Sequence, residues 1–187
     1  MPDLSSNSSA EGYKQASFSV QKVDGETFIH TDVCLQAGDV ILDLGCGTGE
    51  LSAYLADKVG HEGKVIGVDP DKERIQVARR SHSDIRNLSF VEGSAANFPE
   101  MGSKVYDIVF SNAALRWIPG EENVFRNMFE SLKVGGKIAL NHLDHLPLFE
   151  LDAYEDESRK RKANLPDVSV RIKGKDRAVL FVSLTML

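Results

Sequence analysis

The segment Val40-Ile41-Leu42-Asp43-Leu44 runs straight into Gly45-Cys46-Gly47-Thr48-Gly49-Glu50, and this junction limits what the chain can fold into more than any other feature. A short, nearly continuous apolar run rich in branched residues reads as a strand buried on both faces. Three glycines in strict alternation follow it, and glycine alone takes positive φ freely and lets another group lie against the backbone. Leu51, Leu55 and Val59 then recur at helical spacing. The unit is strand, tight turn, helix. Such a turn, closed by a helix N-terminus with unpaired N–H groups, is a place where a ligand can rest on the main chain. Taken alone, the glycines fit an ordinary tight connection equally well.

The rest of the chain repeats the alternation. Lys64 to Val68, Leu88 to Glu92, Val105 to Ser111 and Lys137 to Asn141 are further short apolar runs. Between them Ile75, Val77 and Ala78, then Val124, Met128 and Leu132, keep helical spacing. Strands separated by helices demand crossover connections, which are right-handed and cover both faces of a parallel sheet. The expected fold is therefore α/β, a Rossmann-like, doubly wound and mainly parallel sheet with flanking helices. Gly60 is placed to stop the first helix, and Gly135 and Gly136 to make the turn into the fifth strand.

Four regions follow from this reading. Residues 1–10 are Ser-rich and predict a flexible tail, and residues 11–36 a helical cover packed over the sheet edge through Val23, Phe28, Ile29, Val33 and Leu35. Residues 37–141 form the core. Residues 142–187 form a short extension in which Glu155 to Lys162 reads as a solvated charged helix, and Val168 to Ile172 with Val179 to Leu187 as a hairpin around Lys173 to Asp176.

Asp69 ends the second strand about twenty residues beyond the last glycine of the turn, where nucleotide-binding α/β sheets place a carboxylate for ribose hydroxyls. Helix capping is the competing role, since Pro70 and Asp71 suit a helix start. A dinucleotide-binding oxidoreductase is the rival at the level of the whole site. Its turn, however, is GxGxxG, whereas Gly45, Gly47 and Gly49 alternate, and Asp43 would repel a pyrophosphate. An ammonium group would be drawn to Asp43. The ligand these residues suit is a nucleoside carrying an amino acid.

With those residues in view, the chain resembles the class I methyltransferases. Asp43-Leu44-Gly45-Cys46-Gly47-Thr48-Gly49 is similar to the first motif of that family, Val65 to Asp69 to its second, Val105 to Asn112 to the strand that reaches the methyl group, and Leu132-Lys133-Val134-Gly135-Gly136-Lys137 to its turn into strand five. The likeness covers roughly Gln36 to Leu140. It implies S-adenosyl-L-methionine as cofactor, held by Asp43, Gly45, Cys46, Gly47 and Gly49 of the turn, Asp69 and Pro70 after strand two, Ser94 and Ala95 after strand three, and Asn112 after strand four. Ser111-Asn112-Ala113-Ala114-Leu115-Arg116-Trp117-Ile118 is similar to a stretch of small-molecule O-methyltransferases that act on carboxylates, such as the trans-aconitate and juvenile hormone acid enzymes.

Two departures stand out. Gly93-Ser94-Ala95 replaces the acid that many relatives offer to the adenine amino group, which leaves Ser94 as a weaker acceptor or the contact to backbone, and the chain after strand five is short for the family. The first departure bears on affinity and the second on the substrate cover. A module that binds the cofactor without turnover is accordingly an alternative to an enzyme.

Catalysis of methyl transfer is expected to rest mainly on positioning, because the leaving group already carries the activation and a carboxylate nucleophile is ionised at neutral pH. Candidates at the same end of the sheet are Asn112, Arg116 as a bidentate clamp on a carboxylate, and His142 beside Asp144 and His145. Asp107 lies at the opposite end and reads as structural. A net charge of -6 argues against a nucleic-acid backbone as the main partner, and two cysteines, Cys34 and Cys46, make neither a disulfide framework nor a metal site. No run approaches the roughly 18 apolar residues of a membrane span. A small-molecule acceptor, no membrane partner and a cytoplasmic location are the expectations, and the sequence carries no signal for the oligomeric state.

Overall fold

A computed structural model of the chain describes residues 21–114, 121–142, 167–168 and 178–185. Seven strands, β1 Val40–Leu44, β2 Lys64–Asp69, β3 Leu88–Glu92, β4 Tyr106–Asn112, β5 Leu132–His142, β6 Asp167–Val168 and β7 Ala178–Thr185, build one sheet in the order β3-β2-β1-β4-β5-β7-β6. The first five are parallel. β7 joins β5 antiparallel, and β6 joins β7 in the same sense. The short final segment thus supplies both closing strands, with β7 beginning one residue before the predicted hairpin arm; Lys173 to Asp176, like the charged run Glu155 to Lys162, falls outside the described residues.

Alternate residues of the strands serve two separate layers. Ile41, Val65, Ile108, Phe110 and Ala139 face Leu55, Ala56 and Val59 of α2 (Glu50–Val59) together with Phe28, Ile29 and Val33. Leu42, Leu44, Ile66, Val68, Val109, Ile138 and Leu140 face Val124 and Met128 of α4 (Glu121–Glu130). Each fully buried branched or aromatic side chain contributes roughly 1.5–3 kcal/mol. These layers explain the near-continuous apolar strands, since neither face of the central sheet meets water.

The segment before β1 corrects the sequence reading. It is α1 (Gln21–Phe28) continued by a π-helical turn, Ile29–Val33, and it packs on a face of the sheet rather than over its edge. Phe28 stacks on Phe110 of the central strand β4 with ring centroids 5.8 Å apart. Aromatic and branched residues clustered at its end drive it inward. A second correction concerns β5, which starts at Leu132 instead of Lys137: the two glycines sit inside it as an irregularity, with Gly135 at φ 82.

The ends of the sheet are chemically different. At the amino end Asp107 Oδ2 accepts from the Val40 backbone N–H (2.8 Å) and from Lys133 Nζ (2.7 Å), tying β1, β4 and β5 together. This is the structural role expected of it. At the carboxyl end the polar groups gather around the glycine turn.

Candidate cofactor site at the carboxyl ends of the strands

Gly45, Gly47 and Gly49 all have positive φ, at 81, 57 and 90. The turn is fastened to β2: Gly45 and Cys46 donate their N–H groups to the Val68 carbonyl at 2.8 and 3.1 Å, and Gly49 donates to the Cys46 carbonyl at 3.0 Å. Packing also needs the missing Cβ atoms. At Gly49 a Cβ would strike the Phe90 ring, and at Gly45 it would strike Ala114 Cβ, which lies over the turn from the exit of β4. Cys46 turns its side chain into a small cluster with Ile75, Ala78 and Phe90.

Asp69 is buried and holds the turn from below. Its Oδ2 accepts from the Gly47 N–H at 3.0 Å and its Oδ1 from the Asp71 N–H at 2.9 Å. It does not cap the next helix. That role falls to Asp71, whose side chain accepts from Glu73 and Arg74 at the start of α3 (Lys72–Ser81). A carboxylate has about four lone-pair positions, so two oxygens each bonded once retain accepting capacity.

Three acids surround the turn. Asp43, 2 % exposed, accepts from the Ser52 hydroxyl at 2.6 Å, yet burial pushes its carboxyl up to about 7, and the neighbouring Asp69 charge adds to the rise. Glu50, at the first helical position, accepts from the Thr48 hydroxyl at 2.6 Å through Oε2, while its buried Oε1 has no hydrogen-bond partner among the described residues. Burial raises the Cys46 thiol well above its usual range, and Asp43, Asp69 and Glu50 each push it further. Negative charge is therefore concentrated where a ligand would lie. A cationic ligand offering N–H and O–H donors, such as a sulfonium amino acid joined to a nucleoside, fits this acid-lined cradle; a pyrophosphate does not.

The exits of the other strands complete the site. Gly93 donates to the Asp69 carbonyl at 3.1 Å, which seats the β3 exit beside β2, and Pro70 stands exposed after Asp69. Ser94 and Asn97 exchange backbone hydrogen bonds, and Ser94 Oγ accepts from the Ala96 N–H at 3.2 Å, so its hydroxyl orders the turn while keeping one lone pair. Ala95 points into the core. Ser111 Oγ donates to the Leu44 carbonyl at 2.8 Å, locking β4 against the start of the glycine turn, and Asn112 Oδ1 accepts from Asn141 Nδ2 at 2.7 Å. Arg116, Trp117, Asp144 and His145 lie outside the described residues, and of His142 only its backbone place at the end of β5 is described.

Sequence reasoning missed Ser52 and Glu50 and gave Asn141 a position without a partner. Ser52 was detectable in principle, since a buried Asp43 must find a donor and a helix that starts at Glu50 offers one within its first turn. Among the described residues no group of three or more His, Cys, Asp or Glu could hold a metal ion, and no helix is long and apolar enough to cross a membrane.

This geometry coincides with a match to a family model described as a methyltransferase domain, over residues 35–179. The chain belongs to the class I S-adenosyl-L-methionine-dependent methyltransferase family. Membership implies S-adenosyl-L-methionine as the cofactor. Among curated relatives, the demethylmenaquinone methyltransferase of Oceanobacillus iheyensis is 36% identical over 106 residues, which cover 56% of this chain and 44% of that protein. The malonyl-[acyl-carrier protein] O-methyltransferase 1 of Ilyobacter polytropus is 33% identical over 112 residues, 59% of this chain and 40% of that one. The matched segment thus spans less than half the length of either relative. Among solved structures, a SAM-dependent methyltransferase from Aquifex aeolicus superposes with a TM-score of 0.71 at 17% identity, covering 94% of this chain and 98% of that one, a likeness of fold.

Proposed function

We propose that this methyltransferase-family chain transfers a methyl group from S-adenosyl-L-methionine to an oxygen of a small molecule, with a carboxylate as the preferred acceptor. The observation that carries the reading is the acid-lined glycine turn, where Asp43, Glu50 and Asp69 converge on a backbone that only glycine can follow. A cationic cofactor suits that charge. In the proposed assignment Gly45, Cys46, Gly47 and Gly49 shape the cradle, and Asp43 and Glu50 supply the negative field. Asp69 fixes the turn through Gly47 and offers its remaining lone pairs to ribose hydroxyls. Pro70 walls the nucleoside, the backbone of Ala95 borders it while its methyl packs in the core, Ser94 accepts at its rim, and Asn112 borders the methyl-bearing end.

When bound, the cofactor supplies an already activated methyl, so the protein's task is orientation. A carboxylate acceptor is ionised at neutral pH and needs no base. Arg116 is the proposed clamp for such an acceptor and His142 the proposed base for a hydroxyl, on the strength of their places after β4 and in β5. The O-methyltransferase among the relatives and the stretch Ser111 to Ile118 support oxygen as the receiving atom. A labelled-methyl assay against small carboxylic acids, phenols and amines, read by mass spectrometry, tests the reading; label should accumulate on carboxylic acids. Tight cofactor binding with no label on any acceptor favours the second reading, a binding module without turnover. Two features support that alternative: Ala114 lies against Gly45, and both Asp69 oxygens already hold backbone N–H groups.

A further inference from the structure

Asn141 stands at the carboxyl end of β5, 3 % exposed, between the register partners Asn112 on β4 and Val179 on β7. Its backbone carbonyl accepts from Ala113 at 2.9 Å, and its Nδ2 donates to Asn112 Oδ1 at 2.7 Å. The other half of its amide is unsatisfied: Oδ1 is buried and has no hydrogen-bond partner among the described residues. A buried carbonyl oxygen without a donor is costly, and a residue pinned by strands on both sides cannot swing into water to relieve it. In a strand interior this oxygen would be a defect. At the mouth of the sheet, beside the polar exit of β4, it is a vacant acceptor.

We propose that Asn141 is a ligand-binding residue whose Oδ1 accepts an N–H or O–H from a molecule bound across the exits of β4 and β5, while its Nδ2 fixes the orientation of Asn112. The Asn112 amide, with its oxygen taken, is left with its NH2 half as the available donor. The pair therefore reads a ligand edge carrying a donor next to an acceptor. Cofactor and methyl acceptor can both present such an edge; the inference rests on the reading that the two meet above these strands.

The test compares N141L, which keeps the branching and removes the polar atoms, with N141D, which keeps the acceptor. Ligand-free N141L loses the Nδ2 bond to Asn112 Oδ1 along with the unsatisfied Oδ1, so its melting point is read only to establish that the variant is folded. Calorimetric titration with S-adenosylhomocysteine and labelled-methyl kinetics then locate the donor. A loss of roughly 3- to 30-fold in S-adenosylhomocysteine affinity places it on the cofactor. A rise in acceptor KM of that size, at unchanged kcat and cofactor affinity, places it on the methyl acceptor. N141D should recover whichever quantity N141L loses. The assignment is overturned by equal losses in N141L and N141D, or by unchanged S-adenosylhomocysteine affinity together with unchanged or undetectable turnover. A wild type that binds S-adenosylhomocysteine but transfers no methyl defeats the proposed activity alone and leaves the titration to decide Asn141. One that binds none defeats both.

Discussion

The Gly47 N–H donates to Asp69 Oδ2 at 3.0 Å, so the carboxylate that closes β2 also fixes the turn that leaves β1. Ligand recognition and loop geometry are coupled through one side chain. Replacing it removes an acceptor from a buried donor as well as from the ribose it is proposed to bind. Asp69→Ala should weaken S-adenosyl-L-methionine binding by about 1.5–3 kcal/mol, tenfold or more, read by isothermal titration. Unchanged affinity would remove Asp69 from the site.

The Asp43 carboxyl makes a pH prediction with a definite sign. Its folded value, about 7, lies above the ordinary aspartate value of 3.8 that an unfolded chain approximates, because burial outweighs the Ser52 hydrogen bond. The folded state therefore binds the proton more tightly, and stability due to this group is greatest below about pH 4 and is lost as pH rises toward 7. Chemical denaturation of Asp43→Asn should lack that decline, a difference of roughly 2–4 kcal/mol between the two pH limits. Parallel pH profiles of variant and wild type would contradict it.

The same group should link proton release to cofactor binding. A cation placed beside Asp43 favours its ionised form, so at pH 6 binding should expel a fraction of a proton and affinity should rise as pH approaches 7 and level off above it. Titrations in buffers of different ionisation enthalpy measure the released proton directly. The release should vanish in Asp43→Asn.

How much of this was written in the sequence depends on the range of the interaction involved. The strands β1 to β4, the helix stop at Gly60 and the turn from Gly45 to Gly49 depend on local periodicity and on φ, and these were legible to within a residue or two. The seat of α1 was not, because Phe28 finds Phe110 across more than eighty positions and nothing local distinguishes a face from an edge. The start of β5 was hidden by Gly135 and Gly136, which signal a turn although the strand absorbs them as an irregularity. Within the site, Asp43, Asp69 and the glycines could be named from spacing. Their partners Ser52 and Asn141 could not, since each is defined by a hydrogen bond between separate elements.

Gly45 is held to glycine twice over, by φ 81 and by Ala114 lying where its Cβ would go. Gly45→Ala should cost about 1–3 kcal/mol in stability from backbone strain and overpacking. Adding Ala114→Gly removes the collision and leaves the strain, so the double variant should be more stable than Gly45→Ala alone, with a non-zero coupling energy. Simple additivity in urea denaturation would show that the two residues do not touch.

Asp107 provides the control at the opposite end of the sheet. Its Oδ2 joins the Val40 N–H to Lys133 Nζ, so Asp107→Ala strands a partly buried backbone donor and breaks a half-exposed ion pair. The N–H accounts for most of the expected loss, about 1–2 kcal/mol, since an ion pair this accessible contributes little. Distance from the glycine turn means that S-adenosyl-L-methionine affinity, measured on the folded variant, should stay within about twofold of the wild type, as expected for independent sites. A drop in affinity as large as that of Asp69→Ala would mean that the amino-end brace sets the geometry of the carboxyl-end turn, through the shared strand β1.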